Sequence, residues 1–286
     1  MKILFAGGGT LGPVTPLLAV ADAWRKKDSS ITFVWVGTKN GPERVFIEKE
    51  SIPFFSLTTA RFPRYPSFEW IFLPFRFFLA CLQASLILLR ERPQLIAAAG
   101  GYTSVPLILI GRILGIPSWI HQSDVLPVLT NRLLSHIATV ITVAWPQTQN
   151  VFPKSKTYLI GNPVRASVLG GSREHAKKIF AIDETKPTIL VFGGGSGARF
   201  LNHLMSEIWK DLSMIANVIH VTGKGKMLNE TSLTHHYHVV EYLAEEMKDA
   251  YALADLVVCR AGTGTITELA ALKKAAILIP LLHHTQ

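Results

Sequence analysis

The sequence predicts an α/β protein made of two doubly wound parallel-sheet domains that face a cleft, the second of them incomplete. Three observations carry this. Short, continuously apolar runs alternate with helix-length segments along the whole chain, as expected of parallel strands covered on both faces. Glycine-rich turns follow such runs in both halves. Gly161-Asn162-Pro163 closes one series of runs, and the polar stretch from Gly170 to Lys186 leads into another.

Taken in order, strands are expected at 2–6, 32–36, 95–98, 118–121, 140–143 and 157–160, then at 188–192, 218–221, 238–241, 256–259 and 276–279. Each is short and apolar or β-branched, and the intervening lengths suit covering helices. The opening MKILFAGGGT holds an apolar run too short for a signal peptide and reads as the first strand. A boundary near Pro163 divides the chain into domains 1–163 and 164–286. The last expected strand is followed only by a few residues and no covering helix, so the second domain reads as incomplete.

Of 286 residues, 49% are hydrophobic and 17% charged, which excludes a disordered chain. The two cysteines, Cys81 and Cys259, lie far apart without metal-ligand spacing. A disulfide scaffold and a structural zinc site are therefore not expected, and a reducing compartment fits. The net charge of +9 favours anionic partners such as phosphorylated ligands or an acidic lipid surface. Residues 70–89, WIFLPFRFFLACLQASLILL, approach the length of a membrane span, but Pro74 and Arg76 interrupt them. Arg61, Arg64, Arg90 and Arg92 flank the run. This pattern suits a helix lying at a membrane surface, or else a core helix with snorkelling arginines.

Three glycine-rich turns stand out: Gly7-Gly8-Gly9-Thr10-Leu11-Gly12, Gly193-Gly194-Gly195-Ser196-Gly197 and Gly262-Thr263-Gly264-Thr265. Where such a turn meets a helix N-terminus, backbone N–H groups and the helix dipole favour an anion, and glycine admits a phosphate closely. Any one of them could be a plain strand-to-helix connection; three in two similar halves favour a phosphate ligand. The first matches G-x-G-x-x-G, but a dinucleotide site needs an acid after the second strand, and Gly37-Thr38-Lys39-Asn40 offers none. An NAD enzyme is therefore not expected, and no P-loop lysine follows. Thr265-Ile266-Thr267-Glu268 fits a capping box, and equally a carboxylate placed to accept the two hydroxyls of a ribose.

Longer stretches carry a resemblance to a known family. GGGTLGPVTPLLAVA near the start, AAGGYTSVP at 98–106, HQSD and LTNRLLSHIAT within 121–139, GNPVR at 161–165, FGGGSGARFLN at 192–202, EYLAEEM at 241–247 and ADLVVCRAGTGTITELAAL at 254–272 together resemble the MurG family. The resemblance implies a GT-B fold of two Rossmann-like domains, with an N-terminal acceptor and membrane-associated domain and a C-terminal UDP-sugar domain. It further implies inverting transfer of N-acetylglucosamine from UDP-GlcNAc to the undecaprenyl-diphosphate-linked muramoyl peptide (lipid I), giving lipid II for peptidoglycan. No metal, cofactor or nucleic acid is implied. The implied location is peripheral, on the cytoplasmic face of the cell membrane, with residues 61–92 similar to the family's membrane-facing region.

Position by position, the resemblance makes Glu268 the ribose carboxylate and Arg165 the arginine near the uracil, with Leu243 offering backbone contacts to the base. Gly262, Thr263, Gly264 and Thr265 correspond to the diphosphate turn, and Gln286 to the first glutamine of a sugar-contacting segment. Thr10, Gly12, Asn131 and Ser196 complete the expected substrate-binding set. Arg165 could instead be a surface arginine after a turn, and Gln286 an arbitrary chain end. The family's G-T-G-G-H turn departs here to place Pro13 at the histidine, and proline cannot carry a proton. Its H-E-Q-N becomes His121-Gln122-Ser123-Asp124, and the Ser-Gln of its second turn becomes Gly195-Ser196. Asp124 is thus expected as general base, oriented by His121 or helped by Asn131. Alternatively, Asp124 caps the helix holding Asn131, and His121 is a neutral histidine satisfied at a strand end. Two other functions remain open on these departures: transfer of a UDP-sugar to another lipid or small molecule, and non-catalytic binding of a nucleotide-sugar.

Overall fold

A computed structural model describes residues 1–58, 69–194, 198–226 and 235–280, with backbone only at Glu69 and Trp70. The chain forms two compact units, Met1–Pro163 and Val164–Gln286. Each is an α/β unit with one parallel sheet.

In the first unit the strands are β1 (Lys2–Ala6), β2 (Thr32–Thr38), β3 (Phe54–Leu57), β4 (Leu95–Ala98), β5 (Ser118–Gln122), β6 (Val140–Val143) and β7 (Thr157–Leu159). They lie in the order β3-β2-β1-β4-β5-β6-β7, every neighbouring pair parallel. The helices are α1 (Val14–Lys27), α2 (Glu43–Lys49), α3 (Glu69–Glu91), α4 (Ser104–Ile113), α5 (Leu129–Leu134) and α6 (Pro146–Gln149). Side chains alternate along β1. Ile3 and Phe5 join Val14, Leu17 and Trp35 on one face, while Leu4 and Ala6 join Ala84, Leu88 and Leu107 on the other. Both faces are dry, so every position must be apolar, and this makes the strand readable as a continuous run. β3 was not expected: four residues at the sheet edge, half-buried Phe54 and Phe55, exposed Ser56 and buried Leu57, carry too little pattern.

Pro74 lies within α3, and the helix continues through it. Ala80, Ala84 and Leu88 are buried, but Ile71, Phe72, Phe75, Phe78, Leu82, Leu86 and Leu89 are exposed. Residues 71, 75, 78, 82, 86 and 89 recur at helical spacing and form one outward stripe. The core-helix alternative accounts only for the inner face. By length and composition alone, Ile71–Glu91 could cross a membrane.

The second unit holds β8 (Thr188–Phe192), β9 (Asn217–Val221), β10 (Tyr237–Val240), β11 (Leu256–Arg260) and β12 (Ala275–Ile279), ordered β10-β9-β8-β11-β12 and all parallel. Its helices are α7 (Ala166–Leu169), α8 (Arg173–Phe180), α9 (Arg199–Ile215), α10 (Met247–Leu253) and α11 (Thr263–Ala271). Leu190, Phe192, Val257 and Cys259 pack with Phe180 and Tyr251 on one face, and Val191 and Val218 pack with Leu201, Met205 and Trp209 of α9 on the other. Strand ends differ from expectation by one or two residues. On β12, Ala275 to Leu278 stay exposed.

Candidate active site

Parallel sheets bind ligands beyond the carboxyl ends of their strands, where the strand order reverses. In the first unit that point lies between β1 and β4. The turn at Gly7–Gly12 follows β1, and Gly100–Thr103 follows β4. Gly101, at φ +90°, lies so close that an added Cβ would stand 3.2 Å from the Gly8 carbonyl oxygen, and Gly9, at φ +86°, abuts the Tyr102 ring. The buried Trp35 indole donates to the Gly7 carbonyl at 2.8 Å. Thr10 and Gly12 are exposed at the rim, and Pro13 takes the N-cap of α1.

Glu43 was missed by the sequence reading, which looked for an acid only in residues 37–40. It opens α2, five residues after Thr38, and is fully buried. Its Oε1 accepts from the Thr38 amide (2.7 Å) and hydroxyl (2.6 Å), and its Oε2 accepts from the Gly9 amide (3.2 Å). A Cβ at Gly8 or Gly41 would collide with this carboxylate. The acid therefore clamps the glycine turn from beneath. Its donors come from the turn and the strand end.

Next along the sheet, β5 leads into the segment carrying Asp124. His121 is fully buried. Its Nε2 meets Asn162 Oδ1 at 3.1 Å, which accepts only, so Nε2 carries the proton. Nδ1 is then an acceptor and takes the Thr142 hydroxyl at 2.9 Å, while Thr142 in turn accepts from Trp119 Nε1. Burial pushes the imidazole down to about 4. The expected catalytic role of His121 is corrected accordingly: its ring nitrogens are taken by Thr142 of β6 and by Asn162 in the loop after β7, neither is left to orient Asp124, and the ring stays neutral. Asn131 is also buried, donating to the His121 carbonyl (2.9 Å) and to Gln122 Oε1 (2.8 Å). Gln122 in turn donates to the carbonyls of Asp124 (3.0 Å) and Leu126 (3.1 Å). Asn131 thus acts on the Asp124 segment through Gln122, and no geometry places it at the rim as a substrate contact. The alternative that Asp124 caps α5 fails too, since Val128 is the N-cap and no side chain caps it among the described residues.

In the second unit the order reverses between β8 and β11, which brings Gly193-Gly194, the described start of the second glycine turn, and the third glycine turn to neighbouring strand ends. Ser196 and Gln286 lie outside the described residues. Gly262 is the N-cap of α11, so Thr263, Gly264 and Thr265 form its first turn. Amides in a helix's first turn lack intrahelical acceptors and point outward with the positive dipole end. Because the helix starts at Thr263, Glu268 stands in its second turn. The capping-box alternative is thereby overturned.

Glu268 is half-buried, and its Oε2 accepts from the Tyr251 hydroxyl at 3.0 Å. Burial raises its pKa; the Tyr251 bond and the Arg165 charge pull it back. Arg165 is the N-cap of α7, and its buried Nε has no hydrogen-bond partner among the described residues. The side chain is therefore half-buried, with its Nε withdrawn from water. Leu243 follows β10 and packs partly into the core beside α10. Tyr251, which the sequence reading did not single out, is the core residue that meets Glu268. Among the described residues no cluster of three His, Cys, Asp or Glu side chains could hold a metal.

Two Rossmann-like parallel-sheet units, each with a glycine-containing turn at the strand ends of its switch point, have the architecture of a GT-B protein. Residues 3–143 match the glycosyltransferase family 28 N-terminal domain and residues 188–286 the family 28 C-terminal domain. The chain belongs to glycosyltransferase family 28. It is 35% identical over 280 residues to the UDP-N-acetylglucosamine–N-acetylmuramyl-(pentapeptide) pyrophosphoryl-undecaprenol N-acetylglucosamine transferase of Clostridium perfringens, covering 98% of this chain and 78% of the relative. The protein of the same name from Clostridium kluyveri is also 35% identical, with 98% and 79% covered. Among solved structures, the MurG of Acinetobacter baumannii is similar with a TM-score of 0.70 and 27% identity, over 99% of this chain and 79% of that one.

Proposed function

We propose that this chain transfers N-acetylglucosamine from UDP-GlcNAc to undecaprenyl-diphosphate-linked muramoyl peptide, forming lipid II. The observation that carries the reading is the 35% identity, over 98% of the chain, to enzymes named for this transfer. Those relatives share one acceptor, and nothing favours a different one.

In the proposed reaction the acceptor hydroxyl oxygen bonds to the anomeric carbon as the bond from that carbon to the UDP oxygen breaks, with inversion. UDP leaves with the electron pair, and its growing negative charge falls to the amides of Gly264 and Thr265 and to the dipole of α11. Glu268 accepts the ribose hydroxyls, and Arg165 lies beside the base. The hydroxyl proton passes to Asp124, the carboxylate on the segment that Gln122 and Asn131 hold at the end of β5. Asp124→Asn should lower kcat by about 10²–10⁴ while leaving UDP-GlcNAc affinity within about twofold; unchanged turnover removes Asp124 from the mechanism.

The outward stripe of α3 is proposed to rest on the cytoplasmic face of the membrane, with Arg76, Arg90 and Arg92 exposed beside it for acidic headgroups. The decisive assay combines radiolabelled UDP-GlcNAc with a short-chain lipid I analogue. Disaccharide product with released UDP is expected. UDP-GlcNAc binding without product would reduce the chain to a nucleotide-sugar binder.

A further inference from the structure

We propose that Tyr251 is a positioning residue that locks the Glu268 carboxylate so that the site separates ribose from 2′-deoxyribose; this rests on reading Glu268 as the ribose acid. Tyr251 is 1% exposed. Its ring meets Phe192 of β8 edge-on, with centroids 5.8 Å apart at 80°. The buried Cys259 of β11 belongs to the same core. A side chain held on these sides leaves its hydroxyl at one place, and that hydroxyl donates to Glu268 Oε2. Burial, with the Glu268 charge, raises the phenol pKa, so Tyr251 remains a donor throughout the physiological range.

The consequence is geometric. An ionised carboxylate offers about four acceptor positions on two oxygens. With one taken by a fixed donor, the plane of the group is set, and the remaining positions face outward in a defined direction. A carboxylate free to rotate would serve one sugar hydroxyl almost as well as two neighbouring ones. A locked one leaves an acceptor unpaired in a half-buried site when one hydroxyl is missing, and that mismatch is the source of discrimination.

The groups facing Glu268 are Tyr251 from α10 and Arg165 from the start of α7; Cys259 faces Tyr251 from β11. Tyr251 and Arg165 both favour the charged carboxylate against the burial that opposes it. Removing the phenol hydroxyl deletes one of them, so Glu268 protonates at a higher pH, and UDP affinity begins to fall earlier as pH is lowered.

The test measures Kd for UDP and for 2′-deoxy-UDP from pH 5 to 8 in the full chain, in Tyr251→Phe, in Glu268→Gln and in the double variant. The unaltered chain should prefer UDP by about tenfold or more, and Tyr251→Phe should bring that preference to about twofold or less. At pH 8, where Glu268 is ionised in both proteins, the Kd for 2′-deoxy-UDP should change less in Tyr251→Phe than the Kd for UDP. The pH at which UDP affinity drops should move up, and the double variant should add nothing to Glu268→Gln. If Glu268→Gln abolishes the preference while Tyr251→Phe keeps both the preference and the pH profile, the positioning role is overturned and the ribose reading stands. If Glu268→Gln binds both nucleotides like the unaltered chain, the ribose reading falls and takes this role with it.

Discussion

Glu43 and Glu268 are both carboxylates withdrawn from water, and their partners give them opposite work. Three donors converge on Glu43, so it braces the first glycine turn. Glu268 receives one such donor among its described contacts, and in the proposed reading its other acceptor positions serve the ribose. Glu43→Gln puts an amide N–H₂ against a donor whichever way it turns. It should lower unfolding stability by about 1–3 kcal/mol in a denaturant titration and raise the acceptor KM more than the UDP-GlcNAc KM. His220 repeats the arrangement of His121: buried, facing Tyr237 Oη at 2.8 Å and Asn202 Oδ1 at 3.1 Å, and pushed down to about 4 by burial. In both, the folded value lies below the ordinary 6.5. The unfolded chain therefore binds more protons between those limits, and stability is complete above about pH 6.5 and declines as pH falls toward 4. Thermal unfolding followed against pH should show that decline, and His121→Gln or His220→Gln should flatten it even where Tm at neutral pH drops.

The inner strands were readable nearly residue by residue because each is dry on both faces; the edge strand β3 was not, while β7 and β12 were legible as apolar or β-branched runs although much of each is exposed. α11 shows the limit of a local motif. Thr-x-x-Glu looked like a helix start at Thr265, yet β11 delivers the chain into helix three residues sooner, with Gly262 as the cap. α3 was legible as apolar, but only its packing reveals which stripe stays outside. Replacing Phe75, Phe78 and Leu82 together by Ser should weaken sedimentation with anionic vesicles by at least about tenfold, with UDP affinity unchanged. Binding of the unaltered chain should also weaken as salt rises, since exposed arginines supply part of the attraction. Vesicle binding indifferent to these substitutions would remove α3 from the membrane contact.

Across the two units, the strand orders place glycine turns at both switch points, and the proposed division of labour predicts where ligands are felt. UDP should slow amide hydrogen exchange around 262–268 and leave 7–12 little changed, while a lipid I analogue should do the reverse. Protection of 7–12 by UDP alone would contradict that assignment. The amino-acid sequence by itself determined two parallel-sheet units with glycine turns at their strand ends, because a strand buried on both faces and a turn admitting an anion each demand residue types that a local stretch displays. Which side chains meet there was decided only in three dimensions. Glu43 reaches Gly9 across 34 residues and Tyr251 reaches Glu268 across 17, and such meetings depend on which strands lie side by side, something no local spacing encodes.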